Sequence, residues 1–525
     1  MRVIDNFERG LDTAGPDAPF LIDAASGQVW SYGTVDAFTH RFAHAAESHG
    51  LGDGARIGLI SRNSVLMYEV MLGIYRSNAV LVPINSRSGS EEALELVRRF
   101  EVEVLFYEPE EQHEVAGLVA AAEDLNVELV PLTREAVDAW IGQQPDSGFV
   151  NAGDADTWVE LRTTGGTTGL PKGIPFTNRT GDYIASQLGA LAPFAPSSRS
   201  PRPMYLATAP LTHAAGHAAF YALRDGATMV IVGAARPAEI LELIDRYQVT
   251  LMWLPPTVVY GLVDEPTLGD YDYSSLQHII YGASPMSPGK LARAIAAFGP
   301  VLCQIYGQNE TGFPNLFMSA ADHLQDGDLD KGVASEFRLS AAGRRTPGTD
   351  LVILDEAHQP VALGETGEIA VDCAGVMPGY YGDDAATAAS RHGRYQLTGD
   401  MGFEDADGFV HIVDRKKDMI VTGGFNVYSA EVERRILAFP GVTECAVFGV
   451  PDDKWGEAVT AVIEPAPGVE VDLDALREFC RRGLGGVKSP KQFHVRAELP
   501  RSGADKVLKR ELRAEFWQHH ERQVG

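Results

Sequence analysis

Lysine is nearly missing from the first half of this 525-residue chain: none precedes Lys172 and none stands between it and Lys290. Cysteine is scarcer. Cys303, Cys373, Cys445 and Cys480 show neither CxxC nor Cys/His spacing, which excludes a disulfide framework and a zinc site and leaves buried thiols as the expectation. No apolar run approaches the ~20 residues that cross a bilayer, and residues 1–20 hold no apolar stretch flanked by basic residues of the signal-peptide kind. A cytoplasmic protein without a membrane span is expected. Basic residues are also few, 44 Lys and Arg against 72 Asp and Glu, for a net charge of −28. A field of that sign repels polyanions, so no nucleic acid and no anionic membrane surface is expected as a partner, and any anionic ligand must be held by local groups.

What is present reads as an α/β protein of more than one packed unit. The segments ARIGLIS, VEVLFYE, VELVPL, ATMVIVG, VTLMWLP and LQHIIYG are short apolar runs between polar or Gly/Pro turns and predict strands. SGSEEALELVRRF predicts a helix opened by a capping box of Ser88 and Glu91, and PAEILELIDRYQ predicts another. Strands alternating with helices give parallel sheets covered by helices. After TGDMGFEDADGFVHIVDRKKD a compact set restarts: helix AEVERRILAF, strands ECAVFGV and AVTAVIE, helix LDALREFCRRG, strand FHVRAEL. This places a boundary near Asp414 to Lys417, with domains 1–414 and 415–525.

The first lysine sits in LRTTGGTTGLPKGIP, residues 161–175. Gly165, Gly166 and Gly169 let backbone N–H groups turn inward, and Thr163, Thr164, Thr167 and Thr168 add hydroxyl donors around Lys172, a lining suited to phosphate oxygens. It is not a Walker loop, because Pro171 precedes Lys172 and Gly173 follows it. Taken alone, the stretch reads equally well as a surface turn.

Four further segments follow in order: YGQNETG at 306–312, LTGD at 397–400, DRKKDMIVTGG at 414–424 and LPRSGADKVLKREL at 499–512. Together with TTGGTTGLPKG, and over nearly the whole chain, they resemble the adenylate-forming superfamily of acyl-CoA synthetases, luciferases and peptide-synthetase adenylation domains. The resemblance implies a large N-terminal domain of helix-covered mixed and parallel sheets with a small β-barrel-like subdomain, and a small mobile α+β C-terminal domain. It implies an ATP-dependent carboxylic acid:CoA ligase, which forms an acyl-adenylate with loss of pyrophosphate and then a thioester. ATP, Mg²⁺ and CoA are its cofactor and co-substrates, a small carboxylic acid its partner, and an oligomer is compatible with it.

The implied chemistry brings two anions together, so positioning and charge neutralisation dominate. Thr163, Thr164, Gly165, Gly166, Thr167, Thr168, Gly169 and Lys172 hold the β- and γ-phosphates. Glu310 holds Mg²⁺, a hard cation that prefers carboxylate and phosphate oxygens. Tyr306, with Gly307 and Gln308, lies against adenine opposite Gly282, Ala283 and Ser284, and Asn309 reaches the α-phosphate. Asp400 accepts from both ribose hydroxyls beside Arg415. Lys506 bridges the carboxylate and the α-phosphate. Lys417 is the hinge, and Gly423, Gly424 and Trp455 form the path for pantetheine. Each position also has a plainer reading: Tyr306 as a core aromatic, Asp400 as a turn cap, Lys506 as a solvated surface lysine, and Gly423 and Gly424 as a hairpin turn beside a half-buried Trp455.

For the acyl pocket, PLTHAAGHAAF lacks the aspartate that pairs with the ammonium group of amino-acid substrates. His213 is the implied gate, also numbered among the catalytic residues, and Ala214, His217, Trp253, Ala283 and Gln308 are the implied lining; His217 equally reads as a core histidine. Small residues here favour an aromatic or compact acid over a long chain. Three positions depart from the family pattern: Gly165 replaces a hydroxyl residue, Asn309 a threonine and Asp505 a glycine. Two alternatives stand beside the CoA ligase: an adenylating enzyme whose acceptor is a carrier-protein thiol, an amine or another nucleophile, and a non-catalytic nucleotide-binding protein.

Overall fold

The computed structural model describes residues 1–86, 88–109, 117, 126–163, 172–195, 199–452, 454–501 and 507–517. These fall into two compact units, residues 1–163, 172–350 and 371–396 in one and residues 351–370 and 397–517 in the other.

Two sheets organise the first unit. A six-stranded sheet runs in the order Glu128–Pro131, Val104–Tyr107, Arg56–Ile60, Val80–Ile84, Trp158–Thr163, Gly173–Thr177, parallel except for the last pair. A nine-stranded sheet has a parallel centre, Leu302–Gln308, His278–Tyr281, Leu251–Leu254, Met204–Ala207, Thr228–Ile231 and Pro19–Asp23, and antiparallel margins, Gly312–Met318 with Arg344–Arg345 on one side and Val29–Ser31 on the other. All six strands predicted from apolar runs are among these. Val80–Ile84 and Leu251–Leu254 are buried at every position, as strands covered by helices on both faces must be.

Helix Val65–Ser77 is buried along almost its whole length, and the charges inside it are paired, as burial requires: Glu69 with Arg134, and Arg76 with Asp36 at 2.6 Å and Thr39 at 2.8 Å. The capping box does not form. Helix Ser90–Arg99 has Gly89 at its N-cap with no side-chain cap bond, because Ser88 is taken into a turn, its N–H donating to Asn85 O at 2.9 Å. Glu91 instead lies in the first turn, where its charge meets the positive helix end.

Strands Asp350–Leu354, Gly367–Asp372, Tyr395–Glu404 and Val410–Arg415, most of whose residues belong to the second unit, lie side by side in that order. A further sheet runs Phe425–Val427, Ile420–Thr422, Gly456–Pro465, Val442–Asp452, with Gln492–Val495 added parallel to Gly456–Pro465. Helices Ser429–Leu437 and Leu473–Lys488 pack Val432, Ile436 and Leu476 against Ile420, Val427 and Val459. The last strand stops at Val495 rather than continuing to Leu499, whose N–H donates to the Glu464 carboxylate at 2.9 Å instead of to a neighbouring backbone. The four cysteines are free thiols, three of them buried and Cys373 half-buried. No helix of the described residues is long and apolar enough to cross a membrane.

Candidate functional site

Strand Trp158–Thr163 ends where the Gly/Thr loop begins. Thr164, Gly165, Gly166, Thr167, Thr168 and Gly169 lie outside the described residues, as do Asp505 and Lys506. Thr163 and Lys172, which flank the loop, are described, and Asn309 Nδ2 donates to Thr163 O at 3.3 Å.

Asn309 and Glu310 occupy the turn between strands Leu302–Gln308 and Gly312–Met318. The turn is closed by Gln308 N–H donating to Thr311 Oγ1 at 3.1 Å and Thr311 N–H donating to Gln308 O at 3.2 Å. Thr311 Oγ1 in turn donates to buried Asn315 at 2.6 Å, which anchors the turn in the sheet. Just before it a bulge shifts the register after Tyr306, and Gly307 is packed so closely that a Cβ there would stand 2.5 Å from Gly312 O. Tyr306, Gln308, Asn309 and Glu310 are consequently half-buried at the end of a sheet.

A tyrosine not singled out by the sequence pattern joins Glu310 to the loop lysine. Tyr380 Oη donates to Glu310 Oε1 at 3.2 Å, and Lys172 Nζ lies 4.5 Å from the centre of the Tyr380 ring, within cation–π range. The backbone holds both ends: Met377 N–H donates to Glu310 O at 3.0 Å, and Tyr381 N–H to Gly173 O at 2.8 Å. Burial, reinforced by the Glu310 carboxylate, raises the Tyr380 hydroxyl above its ordinary range, so it remains a donor.

Gly282, Ala283 and Ser284 follow strand His278–Tyr281, with Ala283 and Ser284 exposed. Ala283 has φ of 68°, a left-handed conformation that costs a residue with a Cβ about 1–2 kcal/mol. His213 is the N-cap residue of helix Ala214–Arg224; its Nε2 lies 3.4 Å from Asn85 Nδ2, and burial lowers its pKa. Ala214 is half-buried beside it. His217, one turn further along, lies wholly in the core with its ring stacked on Phe176 at 4.1 Å.

His217 belongs to a buried polar cluster that the sequence reading left out. Glu160, on the strand leading to the loop and 0% exposed, accepts at Oε1 from Tyr75 Oη at 2.5 Å and from His217 Nε2 at 2.8 Å, and at Oε2 from Arg162 Nε at 2.5 Å. Burial alone would raise the Glu160 pKa, but Arg162 and the hydrogen bonds outweigh it and hold the carboxyl well below its usual range. Burial pushes His217 down to about 4, so neutral His217 donates through Nε2–H. His217 Nδ1 and the indole nitrogen of buried Trp253 have no hydrogen-bond partner among the described residues. The sequence signal for the cluster was the pair of charges two residues apart in WVELRT, which a strand places on one face.

The second unit assembles its own share of the predicted residues. Asp400 and Arg415 sit opposite each other on adjacent strands, and Arg415 Nε meets Asp400 Oδ1 at 2.7 Å. Asp400 is buried inside a strand rather than capping a turn. Lys417 lies in a 3₁₀ turn, Lys416–Asp418. Gly423 and Gly424, at φ of 58° and 79°, form a two-residue hairpin turn between Ile420–Thr422 and Phe425–Val427 that needs positive φ at both positions. Gly423 N–H donates to Trp455 O at 2.7 Å, and a Cβ on Gly423 would touch the Trp455 ring at 2.8 Å. Trp455 and Phe425 are 39% and 60% exposed there, so the glycines form the hairpin turn of the plainer reading, beside an exposed rather than a half-buried Trp455.

Known proteins carry the same organisation. The AMP-binding enzyme family matches residues 7–381, and the AMP-binding enzyme C-terminal domain matches residues 431–506. The medium/long-chain-fatty-acid–CoA ligase FadD8 of Mycobacterium tuberculosis is 37% identical over 379 residues, 70% of this chain and 63% of that protein. The feruloyl-CoA synthase of an Amycolatopsis species is 32% identical over 492 residues, 93% of this chain and 94% of that one. The structure of the amide bond synthetase McbA from Marinactinospora thermotolerans superposes with a TM-score of 0.84 at 26% identity, covering 98% of this chain and all of that chain. The chain therefore belongs to the AMP-binding enzymes of the adenylate-forming superfamily, and its reaction is that of an AMP-forming acid–CoA ligase that uses ATP and CoA.

Proposed function

We propose that the acid is compact, aromatic or of similar bulk, and that its adenylation is carried out by the following residues. One observation carries the assignment of roles: Glu310, Tyr380 and Lys172, from three separate stretches of sequence, meet through a hydrogen bond and a cation–π contact beside the ends of the Gly/Thr loop. Lys172 and the loop hold the β- and γ-phosphates, and the Asn309 amide donates to the α-phosphate. Tyr306 and the Gly282, Ala283 and Ser284 wall hold adenine, while Asp400 and Arg415 hold the ribose hydroxyls. Lys506 neutralises the carboxylate and α-phosphate as they meet. A carboxylate oxygen forms the bond to the α-phosphorus and the bond to the pyrophosphate oxygen breaks. The CoA sulfur then bonds to the acyl carbon, AMP leaves with the acyl C–O electrons, and the thiol proton passes to water.

Glu310 is a hard oxygen donor, and no group of three or more His, Cys, Asp or Glu residues that could hold a metal stands among the described residues. That donor set fits Mg²⁺, which typically keeps several waters and takes few carboxylates plus nucleotide phosphates. Mg²⁺ when bound supplies charge neutralisation on the phosphates.

Lys417 is the pivot between residues 1–414 and 415–525, which brings Gly423, Gly424 and Trp455 to the thioester step. His213, neutral by burial, gates the acyl pocket, with Ala214 and Gln308 near its mouth. The indole nitrogen of Trp253, without a hydrogen-bond partner among the described residues, supports an acid bearing a polar substituent. Dependence on ATP and CoA supports a cytoplasmic setting. Structural likeness to an amide bond synthetase favours a second reading, in which an amine replaces CoA as acceptor.

The test is ATP–pyrophosphate exchange across a panel of aromatic, short-chain and long-chain acids, followed by CoA or an amine with mass detection. Exchange that is strongest with aromatic acids and a thioester product are expected. Preference for long-chain acids would overturn the assigned acid, and an amide without a thioester would favour the second reading.

A further inference from the structure

The roles above leave Tyr75, Glu160 and Arg162 without a task, although a buried ion pair is expensive to desolvate and is seldom the cheapest way to fill a core. Arg162 is where the cluster reaches the candidate site. Its Nε is held by Glu160, and its guanidinium lies 5.6 Å from the centre of the Phe176 ring. One terminal nitrogen donates to Thr212 O at 3.1 Å, immediately before His213, and the other lies 3.5 Å from Asn309 Oδ1.

The last contact bears on Asn309, whose side chain can point either way: one end accepts and the other donates. Guanidinium groups only donate and carbonyls only accept. With Arg162 on one side and Thr163 O, 3.3 Å from Asn309 Nδ2, on the other, only one of the two amide orientations satisfies both neighbours. In that orientation one N–H goes to Thr163 O and the second remains to donate to an anion. The flipped amide would set an oxygen against the phosphate. A threonine would not face this choice, since its hydroxyl both donates and accepts. An asparagine needs a fixed donor at its oxygen end, and a cation there needs Glu160 to neutralise it in a dry environment.

We propose that Arg162, held by Glu160, is a positioning residue of the adenylation step that locks the Asn309 amide with its donor end toward the α-phosphate. This rests on the reading that Asn309 faces that phosphate. Tyr75 and neutral His217 complete the device by filling the second oxygen of Glu160 with donors, so that the carboxylate stays aimed at Arg162.

The experiment compares the paired change Glu160→Gln with Arg162→Met, which removes both buried charges together, in two backgrounds: the natural chain and Asn309→Thr. The readouts are the kcat of pyrophosphate exchange, the conversion of supplied acyl-adenylate with CoA, and thermal unfolding. In the natural background the paired change is expected to lower the exchange kcat about tenfold, the effect of one hydrogen bond to a charged group, with acyl-adenylate conversion retained. In the Asn309→Thr background the same change is expected to leave exchange within about twofold, because no amide remains to be oriented. Equal losses in both backgrounds would show a merely structural role and overturn the proposal, as would no loss in either. If the paired change does not fold, Arg162→Lys, which keeps a cation beside Glu160 but loses the fork, is compared in the same two backgrounds with the same expected pattern. Absence of exchange by the unmodified protein with every acid would instead overturn the functional reading, and this proposal with it.

Discussion

Tyr380→Phe removes one hydroxyl and keeps the ring, and thereby separates the two contacts of Tyr380. The lost bond is the 3.2 Å donation to Glu310. Hydrogen bonds to charged groups contribute about 1.5–3 kcal/mol, but 3.2 Å is longer than the ~2.5–2.7 Å of strong bonds to carboxylates. About 1–1.5 kcal/mol is therefore expected, a factor of roughly five to ten. The loss should fall on the orientation of Glu310, so kcat/KM for ATP should drop by about that factor and the Mg²⁺ concentration for half-maximal exchange should rise. Tyr380→Leu also removes the aromatic face under Lys172, 4.5 Å away. At about 0.5–1 kcal/mol for a cation–π contact, this adds a further factor of roughly two to five. The assay is pyrophosphate exchange titrated with Mg²⁺ and with ATP, alongside thermal unfolding to register any loss of packing. A Phe variant within about twofold of the unmodified enzyme in both titrations would refute the reasoning, and so would Phe and Leu variants with the same loss.

Lys506→Ala should lower adenylate formation by orders of magnitude while conversion of supplied acyl-adenylate with CoA continues; survival of exchange within a few-fold would remove Lys506 from the role proposed. Lys417→Pro fixes φ near −65° and deletes a donor, so single-turnover pyrophosphate release should persist and thioester formation from supplied acyl-adenylate should fall sharply; equal losses in both would argue against a pivot there. Ala283→Gly relieves a left-handed alanine at φ of 68°, and a gain of about 1–2 kcal/mol less roughly 0.5–1 for glycine's backbone entropy predicts a slightly higher urea midpoint, together with a raised KM for ATP as the adenine wall loosens; a lower midpoint would contradict this. Burial raises Asp414 to about 6, so its contribution to stability is fully present below about pH 4 and is lost as the pH rises to about 6, by up to ~3 kcal/mol. Asp414→Asn should therefore flatten the fall in urea midpoint over that window, and an unchanged slope would refute the assignment.

Much of this molecule is determined by the chain alone. Six apolar runs become strands, five of them buried along all or nearly all their length in helix-covered sheets, and Glu128–Pro131, at a sheet edge, buried only at Val130. The ordered motifs bring in the nucleotide chemistry because phosphate, ribose and carboxylate each require particular donors and charges at particular places. Asp400 and Arg415, fifteen positions apart in sequence, meet across a strand pair, as the two motifs together imply. Local signals fail where a tertiary competitor wins. Ser88 loses its capping role to a turn with Asn85, and the last predicted strand is cut short when the Glu464 carboxylate takes the Leu499 N–H.

Tyr380 and Arg162 escape a reading of the chain for one physical reason: their significance lies in partners distant in sequence. Tyr380 matters through Glu310, seventy residues away, and Arg162 through Asn309, 147 residues away. A tyrosine after a glycine carries no local pattern that sets it apart, and two charges on one face of an apolar strand signal a buried pair without showing which distant residue it serves. Nor does the sequence reveal that His217 stacks on Phe176 and faces a buried carboxylate, because a helical histidine reads the same at a pocket wall and in a core. Those distinctions depend on which side chains are brought together away from water, where an unpaired charge is costly and a paired one holds its neighbours in a single orientation. Only the tertiary structure decides that.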